Sequence, residues 1–325
     1  MPVLEAEAEA PVHPKSHDRF QALLAKARSY EPVRVAVAHP CDRVSLESVI
    51  EAAKLRLIIP ILVGPRDRIH EVAAQHGLDI SAFETVDAPY SESAAAKAVE
   101  LVREGKADAL MKGSLHTDEL MSAVVRRETG LRTSRRISHC FVMDVPGHDQ
   151  PLVITDAAIN IAPDLKTKAD IVQNAIGLVR ALGTNEVRVA ILSAMETVNP
   201  DVPSTIEAAA LCKMADRGQI TGAVLDGPLA LDNAISPRAA EIKKIVSPVA
   251  GRANILVVPD LEAGNMLAKS LSFLAGADAA GIVLGAKVPI ILTSRADSEI
   301  ARLASCAVAQ LVAAARRADA SAAIQ

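Results

Sequence analysis

The stretch NILVVPDLEAGNMLAKSL, residues 254–271, contains one strand followed by one helix, and the repetition of this unit along the chain predicts the fold. Its first part is a run of branched apolar residues, typical of a buried strand, and Pro259-Asp260 ends that run. Its second part spaces apolar residues as one face of a helix does. A buried strand followed closely by an amphipathic helix is the building unit of a parallel α/β sheet, so we expect a strand at 254–260 and a helix at 262–274.

The same pattern recurs along most of the chain. Apolar runs predict further strands at 33–40, 58–64, 107–113, 188–194, 221–227, 279–285 and 288–294. Amphipathic stretches predict helices at 45–57, 91–105, 118–128, 165–182, 203–217 and 298–317. Two runs, 138–145 and 151–159, are separated by a segment too short for a parallel crossover, so they predict an antiparallel hairpin. The fold class predicted from these elements is α/β, with mostly parallel, doubly wound sheets.

The length of 325 residues predicts two domains, at roughly 100–200 residues each. The predicted parts are a disordered lead-in at 1–20, a first α/β domain at 21–145 plus 298–325, and a second at 146–297, with the active-site cleft between them. The lead-in lacks the basic end and apolar core of a signal peptide, and no run approaches the ~18 apolar residues of a membrane span. We therefore expect a cytoplasmic protein with no membrane partner.

Charge and composition exclude several other classes. The net charge is −4 and aromatic residues are only 2%, so neither a general attraction to nucleic acid nor a base-stacking surface is expected. The four cysteines are far apart, with no C-x-x-C, which excludes a readable disulfide framework or thiolate zinc site. The patterns G-x-G-x-x-G, H-E-x-x-H and G-x-S-x-G are all absent. No metal site is predicted.

In parallel α/β sheets, ligands bind at the carboxyl ends of strands, so the residues that follow each strand are the candidates. The stretch SRADSE, 294–299, joins a predicted strand to the last helix. Free backbone N–H groups at a helix start attract anions, and the fork of Arg295 can bind a phosphate through two parallel hydrogen bonds. The spacing of Ser294 and Asp297 also matches a capping box, so a purely structural role is the alternative.

Three other strand ends carry polar residues. The loop after the predicted strand 107–113 contains Lys112, Gly113, Ser114 and His116, with Thr117 or Asp118 expected to cap the next helix. The stretch DGPLALDN contains Asp226, Gly227, Pro228 and Asp232 on a predicted tight turn. In PDLEAGN, Asp260 is expected to cap a helix and Gly264 to allow close backbone approach. Each of these groups has an ordinary structural reading as a turn or cap.

A cluster of arginines lies between the Lys112 loop and the predicted hairpin. Arg132, Arg135 and Arg136 are its candidates for binding the phosphates of a nucleotide-bearing substrate. The alternative is a solvated, positively charged surface.

Taken together, the motifs LMKGSLHT (110–117), GLRT (130–133), ITDAAINIAPDL (154–165), DGPLALDNA (226–234), SPVAGRANILVVPDLEAGNMLAKSL (247–271) and GAKVPIILTSRADS (285–298) resemble the phosphate acetyltransferase and phosphate butyryltransferase family. The resemblance implies reversible acyl transfer between coenzyme A and inorganic phosphate, with acyl-CoA as substrate, no tightly bound cofactor and no metal. It also implies a two-domain fold similar to the isocitrate and isopropylmalate dehydrogenases and a homodimer. The matching motifs add Asp156, Asn160, Glu262 and Asn265 to the substrate-binding candidates.

The resemblance implies a catalytic role for Ser294 and Arg295. In the acetyl branch of the family, an aspartate seven residues after that serine is the base for the coenzyme thiol, but Ala301 stands there in this chain. Asp297 is therefore the candidate base. An arginine of the helix after the Lys112 loop is also replaced, with Ser122 near its place. Both departures are similar to the butyryl branch, so the acyl chain, acetyl or butyryl, stays open.

Direct transfer in a ternary complex requires three functions. Phosphate must be held near the thioester, which Arg295 and helix amides can do; the oxyanion needs a donor, Ser294 or Lys112; and the thiol needs a base. Two alternatives remain. One is a nicotinamide- and metal-dependent hydroxy-acid dehydrogenase of the same fold, and the other is a non-catalytic binding protein for a small molecule.

Overall fold

The computed structural model describes residues 18–293 and 297–322. The strands in these residues are β1 (Val33–Ala38), β2 (Ile58–Gly64), β3 (Glu84–Asp87), β4 (Ala109–Lys112), β5 (Ser138–Asp144), β6 (Leu152–Thr155), β7 (Arg188–Leu192), β8 (Val224–Leu229), β9 (Ile255–Val257), β10 (Asp278–Leu284) and β11 (Ile290–Ile291). The helices are α1 (Asp18–Ala27), α2 (Arg43–Lys54), α3 (Arg66–Gln75), α4 (Ser91–Arg103), α5 (Thr117–Val124), α6 (Leu165–Ala181), α7 (Pro203–Asp216), α8 (Leu231–Ile235), α9 (Pro237–Ile242), α10 (Leu261–Leu274) and α11 (Glu299–Ala322).

All these strands form one sheet in the order β3-β2-β1-β4-β11-β10-β5-β6-β9-β7-β8. The strands β3, β2, β1, β4 and β11 are parallel to one another, and β6, β9, β7 and β8 form a second parallel group. Between the groups, β10 is antiparallel to both β11 and β5, and β5 is antiparallel to β6. The predicted α/β class with a mostly parallel sheet is confirmed, and the two groups run in opposite directions.

The register shows where the two groups of strands end. Met111 pairs with Ile291, Ile291 with Ile282, Ile282 with Cys140, and Cys140 with Thr155. Five neighbouring strands, from β4 to β6 in the sheet order, therefore have residues aligned at one level of the sheet. Both β4 and β6 end at this level, and they run in opposite directions. Four strand spacings separate these two ends, which corresponds to about 19 Å.

The two faces of the sheet are covered differently. One face packs against a single large apolar cluster that includes residues of α1, α2, α6, α7 and α11. The other face carries two separate clusters, one around α4 and α5 and one around α10. Between them lie the central strands, where side-chain alternation places His139 and Phe141 of β5 and Gly281 of β10 on this face. We call this strip the central floor.

Most predicted elements are present, with boundaries shifted by a few residues, and the 138–145/151–159 hairpin is confirmed. The sequence reading missed β3, α1, α3, α8 and α9. It also treated 279–285 and 288–294 as parallel strands, whereas β10 and β11 form a second antiparallel hairpin. The last three residues of the predicted lead-in are helical, because α1 begins at Asp18 and buries Phe20 against the core; residues 1–17 lie outside the described residues.

The prediction of a tight turn at Gly227-Pro228 is wrong. Both residues lie inside β8, where the pairing with β7 shifts register. A Cβ atom on Gly227 would lie only 2.7 Å from the carbonyl oxygen of Ile191, so glycine lets β7 and β8 approach closely.

The division into two domains stays a prediction.

Candidate active site

Lys112 is the last residue of β4, and its side chain is half-buried. Its Nζ donates to the carbonyl oxygens of Gly113 at 3.2 Å and Leu115 at 3.3 Å, so the loop folds around the ammonium group. Gly113 must be glycine at this point, because a Cβ would lie 2.5 Å from the carbonyl oxygen of Ala38. The close approach of β1 and β4 therefore fixes where the lysine charge sits.

Ser114 ties this loop to the end of β1. Its Oγ donates to the His39 carbonyl oxygen at 2.8 Å and accepts from the Cys41 amide at 3.3 Å. The Nδ1 of His39 is also 3.0 Å from Ser114 Oγ. Burial, together with the nearby charge of Arg68, lowers the pKa of His39, which favours a neutral imidazole at this strand end.

The loop leads directly into α5. The His116 amide donates to Glu119 Oε2 at 2.7 Å, and Glu119 also accepts a hydrogen bond from Ser91. The bonds from Ser91 and His116 lower the pKa of Glu119 and keep it ionised at the helix start. The prediction that Thr117 or Asp118 caps this helix is wrong, since the helix already begins at Thr117 and His116 is the residue before it.

The turn from β11 to α11 carries the predicted catalytic residues. Ser294 and Arg295 lie outside the described residues; Thr293 before them is buried and Asp297 after them is half-buried. Ser298 Oγ accepts from the Ala301 amide at 3.2 Å and donates to Asp278 Oδ1 at 3.2 Å. Ser298 is therefore the cap of α11, which begins at Glu299; the predicted capping box of Ser294 with Asp297 includes Ser294, which lies outside the described residues.

A second group of predicted residues surrounds the end of β6. Asp156 is 2% exposed, and its carboxylate accepts from the amides of Ala158, Ile159 and Asn160 and from Asn160 Nδ2, at 2.6–3.2 Å. Asn160 also donates to the carbonyl oxygen of Ile137 at 2.9 Å. The carboxylate thus organises the loop that follows β6.

The start of α10 packs onto the same loop. Asp260 caps this helix by accepting from the Ala263 amide at 2.8 Å, as predicted. The predicted close approach at Gly264 is also confirmed, since a Cβ there would lie 2.8 Å from the Asp156 carbonyl oxygen. Asn265 Nδ2 donates to the Ala157 carbonyl oxygen at 3.2 Å, while Glu262 is exposed. Asp156, Asn160, Glu262 and Asn265 therefore lie together.

The structure does not bring Asp226 and Asp232 to either group. Asp226 lies on the edge strand β8, seven strands from β4 or about 34 Å across the sheet, and its Oδ1 accepts from the Gly227 amide. Asp232 is exposed, and its bond from the Asn233 amide and its contact with Lys243 lower its pKa. The prediction that Asp226 shares a cleft with Lys112 fails because the sheet is continuous and long.

The three arginines proposed for coenzyme binding precede β5. They lie near the level of the sheet at which β5 begins and its neighbour β10 ends. Arg132 forms an isolated bridge with Ala286, the Arg136 amide donates to Asp170 Oδ2 at 2.9 Å, and Arg135 borders a surface groove beside α6. Their coenzyme role stays a prediction.

Sequence reasoning missed three residues that the geometry places beside these groups. Gly281 packs so closely on β11 that a Cβ would lie 2.5 Å from the Leu292 carbonyl oxygen, and a glycine inside a strand is the signal for such an approach. His139 is buried next to it, and burial lowers its pKa to about 4. Arg302 donates from Nη1 to the Asp297 carbonyl oxygen. Its spacing of four residues from Ser298 indicates a shared helix face.

The residues of 18–293 and 297–322 contain no cluster of histidine, cysteine or acidic side chains able to hold a metal ion. Among the same residues, no helix is both long and apolar enough to cross a bilayer.

The fold of this chain is similar to that of a solved phosphotransacylase. A branched-chain phosphotransacylase from Enterococcus faecalis superposes with a TM-score of 0.76 at 31% identity, over 86% of this chain and 99% of that one. A family model described as phosphate acetyl/butaryl transferase matches residues 88–310. The chain belongs to this phosphate acetyl/butyryl transferase family.

Two curated relatives show the range of names within the family. A phosphate acetyltransferase from Rhizobium meliloti is 66% identical over 314 residues, which cover 97% of this chain and 98% of the relative. A phosphate butyryltransferase from Clostridium acetobutylicum is 44% identical over 294 residues, which cover 90% and 98%. The chain is thus similar to full-length enzymes of both names.

Proposed function

We propose that this chain catalyses the reversible transfer of a short acyl group between coenzyme A and inorganic phosphate, giving acyl phosphate. The observation that carries the proposal is the joining of β1, β4 and β11 at one strand-end site, in a member of this acyltransferase family. There, Lys112 lines one small pocket together with Thr293, the residue before Ser294, and Arg302 of α11. The dehydrogenase and the non-catalytic alternatives are not favoured by the named relatives.

The central floor supports an extended substrate. The Lys112 group and the Asp156 group lie about 19 Å apart, on either side of the floor and at one level of the sheet. Coenzyme A is a long molecule whose reactive thiol is far from its phosphates. We place the thioester at the Lys112 group; Arg132, Arg135 and Arg136, which precede β5 away from the floor, are separate candidates for binding the phosphate-bearing end.

Each chemical requirement is assigned to a residue. Arg295 holds phosphate bidentately against the thioester, which raises the effective concentration of the pair. Ser294 or Lys112 donates to the oxyanion of the tetrahedral intermediate. In the reverse direction Asp297 removes the thiol proton. No covalent acyl-enzyme and no tightly bound cofactor is needed.

We further propose acetyl as the preferred acyl group. The relative named phosphate acetyltransferase is 66% identical to this chain, against 44% for the relative named phosphate butyryltransferase. We give this difference in identity more weight than Ala301 and Ser122, the two positions at which this chain is similar to the butyryl branch. A cytoplasmic homodimer, two domains with the cleft between them, and a likeness to the isocitrate dehydrogenase fold belong to the same proposal.

One assay tests the reaction. The purified protein is incubated with acetyl-CoA or butyryl-CoA, with and without phosphate, and free thiol is followed. We expect thiol release that depends on phosphate and is faster with acetyl-CoA. Reduction of a nicotinamide with a hydroxy acid, and no phosphate dependence, would overturn the proposal. Asp297→Asn tests the base: thiol attack on acyl phosphate should slow by roughly 100-fold.

A further inference from the structure

A surface groove runs beside α6, on the face of the sheet opposite the central floor. Its volume is about 520 Å³, and it is lined by α6, by α11 and by the segments that precede β5 and β8. The helix α6 packs into the large apolar cluster that covers this face of the sheet. A ligand in the groove is therefore separated by the sheet from a ligand on the central floor.

The groove is positively charged. Arg135, from the segment before β5, and Arg180, from the last turn of α6, line it and are both exposed. No acidic side chain of residues 18–293 and 297–322 lines it with them. Arg316 lies close by: burial, together with the charge of Arg135, lowers the pKa of Arg316. The charge on this surface would be neutralised by a ligand with at least two negative charges.

One wall of the groove is fixed by hydrogen bonds and by close packing. Gln173 Nε2 donates to the Thr221 carbonyl oxygen, and the Thr221 amide donates to Gln173 Oε1, both at 3.0 Å. A Cβ atom on Gly222 would lie 3.0 Å from Arg180 Nη1, so the guanidinium packs against that glycine. The segment before β8 and the Arg180 side chain are thus held against α6, which makes this wall of the groove preformed.

The bottom of the groove contains a glycine that packing does not explain. Gly177 lies inside α6 and is exposed, and a Cβ atom there would have no atom within 4 Å. Glycine weakens a helix relative to alanine, so this position gives up helix stability without a steric reason. Gln173, Gly177 and Arg180 have the spacing of one helix face. Gly177 therefore leaves an open, flat surface between a polar side chain and a cation.

We propose that this groove binds a nucleoside di- or triphosphate, at a site separate from that of acyl transfer. The planar nucleobase lies on the α6 surface at Gly177, where the missing side chain allows close approach to the backbone. Arg135 and Arg180 bind the phosphate groups, since the guanidinium fork matches phosphate oxygens. The volume of the groove lies in the range of small-molecule sites. Arg135 is thereby assigned to this second ligand, and Arg132 and Arg136 stay as coenzyme candidates.

The test is calorimetric titration of the full chain with three probes: ATP, inorganic triphosphate and adenosine. We expect ATP to bind more tightly than the other two, because each of them has only one of the two groups that the groove recognises. Equal affinities for ATP and inorganic triphosphate would overturn the assignment of the nucleobase. No binding of ATP at millimolar concentration would overturn the whole proposal.

Two variants separate the parts of the groove. Arg180→Gln should weaken both ATP and inorganic triphosphate by roughly tenfold or more, since it removes a charge-assisted pair. Gly177→Leu should weaken ATP by a similar factor but leave inorganic triphosphate nearly unchanged, because leucine covers only the nucleobase surface. Leucine is also a better helix former than glycine, so this variant should fold. Unchanged ATP affinity in both variants would exclude the groove.

A matched control is Arg103→Gln, which removes an exposed arginine from the last turn of α4 on the other face of the sheet and should not change ATP affinity. Saturating acetyl-CoA should also leave ATP affinity unchanged, and displacement of ATP by acetyl-CoA would overturn the claim of a separate site. The titrations require no turnover. A lack of phosphate-dependent thiol release would therefore refute the proposed function without deciding whether the groove binds nucleotide.

Discussion

Lys112 and Asp156 occupy equivalent places in the sheet and differ in how their charges are satisfied. Each follows a residue aligned at the same sheet level, Met111 for the lysine and Thr155 for the aspartate. Asp156 is buried and receives four N–H donors from its own loop, which matches the number of lone-pair positions on a carboxylate. Lys112 is half-buried and borders a cavity together with residues of three other elements.

A strand end locates a charged residue but does not give it a ligand. A carboxylate whose acceptor positions are filled by its own loop is a structural group, and a substrate would have to displace those bonds. The Lys112 ammonium donates to two carbonyl oxygens of its own loop and borders a pocket that Thr293, the residue before Ser294, also lines. We therefore propose different roles for the two ends of the floor: the Asp156 end shapes its loop, and the Lys112 end takes part in the chemistry.

The largest expected effect tests the structural end. Asp156→Ala leaves three buried backbone amides and the Asn160 side chain without their acceptor, so the free energy of unfolding should fall by about 3–5 kcal/mol. Urea denaturation measures the loss. Asp232→Ala, an exposed aspartate, is the control and should leave the denaturation midpoint nearly unchanged. A stable Asp156→Ala variant with poor substrate affinity would reverse the division of work.

The sequence reading located both ends of the floor but could not distinguish them. Apolar runs predicted β4 and β6; the position at a strand end selected Lys112, and the family motifs added Asp156. What the sequence could not show was the insertion of β10 between β11 and β5, which joins the two parallel groups into one sheet and places Asp226 at its far edge. Strand order depends on contacts between distant segments, whereas periodicity reports only local structure.

The second prediction tests the chemical end. Arg295→Lys should keep the fold and the coenzyme affinity but lower turnover by roughly 100-fold, because an ammonium cannot reproduce two parallel hydrogen bonds to phosphate. Initial rates with phosphate varied at saturating acetyl-CoA measure the change. Lys97→Arg on the surface of α4 is the control. Unchanged kinetics in Arg295→Lys would make that arginine a structural group as well.

The third prediction concerns His139 on the floor between the two ends. Burial lowers the pKa of His139 to about 4, below the 6.5 expected in the unfolded chain, so the unfolded state binds more protons between these values. The contribution of His139 to the free energy of unfolding should therefore be constant above pH 6.5 and decrease as the pH falls towards 4. About 2 kcal/mol of unfolding free energy should be lost by pH 5. His139→Asn should lack this part of the pH dependence. Parallel stability curves for the two proteins from pH 7 to 5 would contradict the assignment.

The sequence reading was least successful at the boundaries of helices beside the site. Ser294 and Asp297 have the spacing of a capping box, and Ser298 and Ala301 have no such signature, yet Ser298 is the cap. Whether Asp297 or Ser298 caps the helix depends on where β11 ends and on Asp278. Asp278, the first residue of the neighbouring strand β10, accepts a hydrogen bond from the Ser298 hydroxyl. A tertiary contact of this kind has no local sequence pattern.

The smallest expected effect follows from that cap. Ser298→Ala removes the acceptor of the Ala301 amide and the donor to Asp278, so it should cost about 1 kcal/mol of unfolding free energy and leave kcat within about threefold. Asp297→Asn should show the opposite kinetic result: thiol attack on acyl phosphate should slow by roughly 100-fold, while the Ser298 cap stays in place. Paired urea curves and initial rates on both variants decide the matter. If Asp297→Asn loses the stability and Ser298→Ala does not, Asp297 is the cap after all. Its side chain is then committed to the helix start in the same way that Asp156 is committed to its loop, and the base must lie elsewhere.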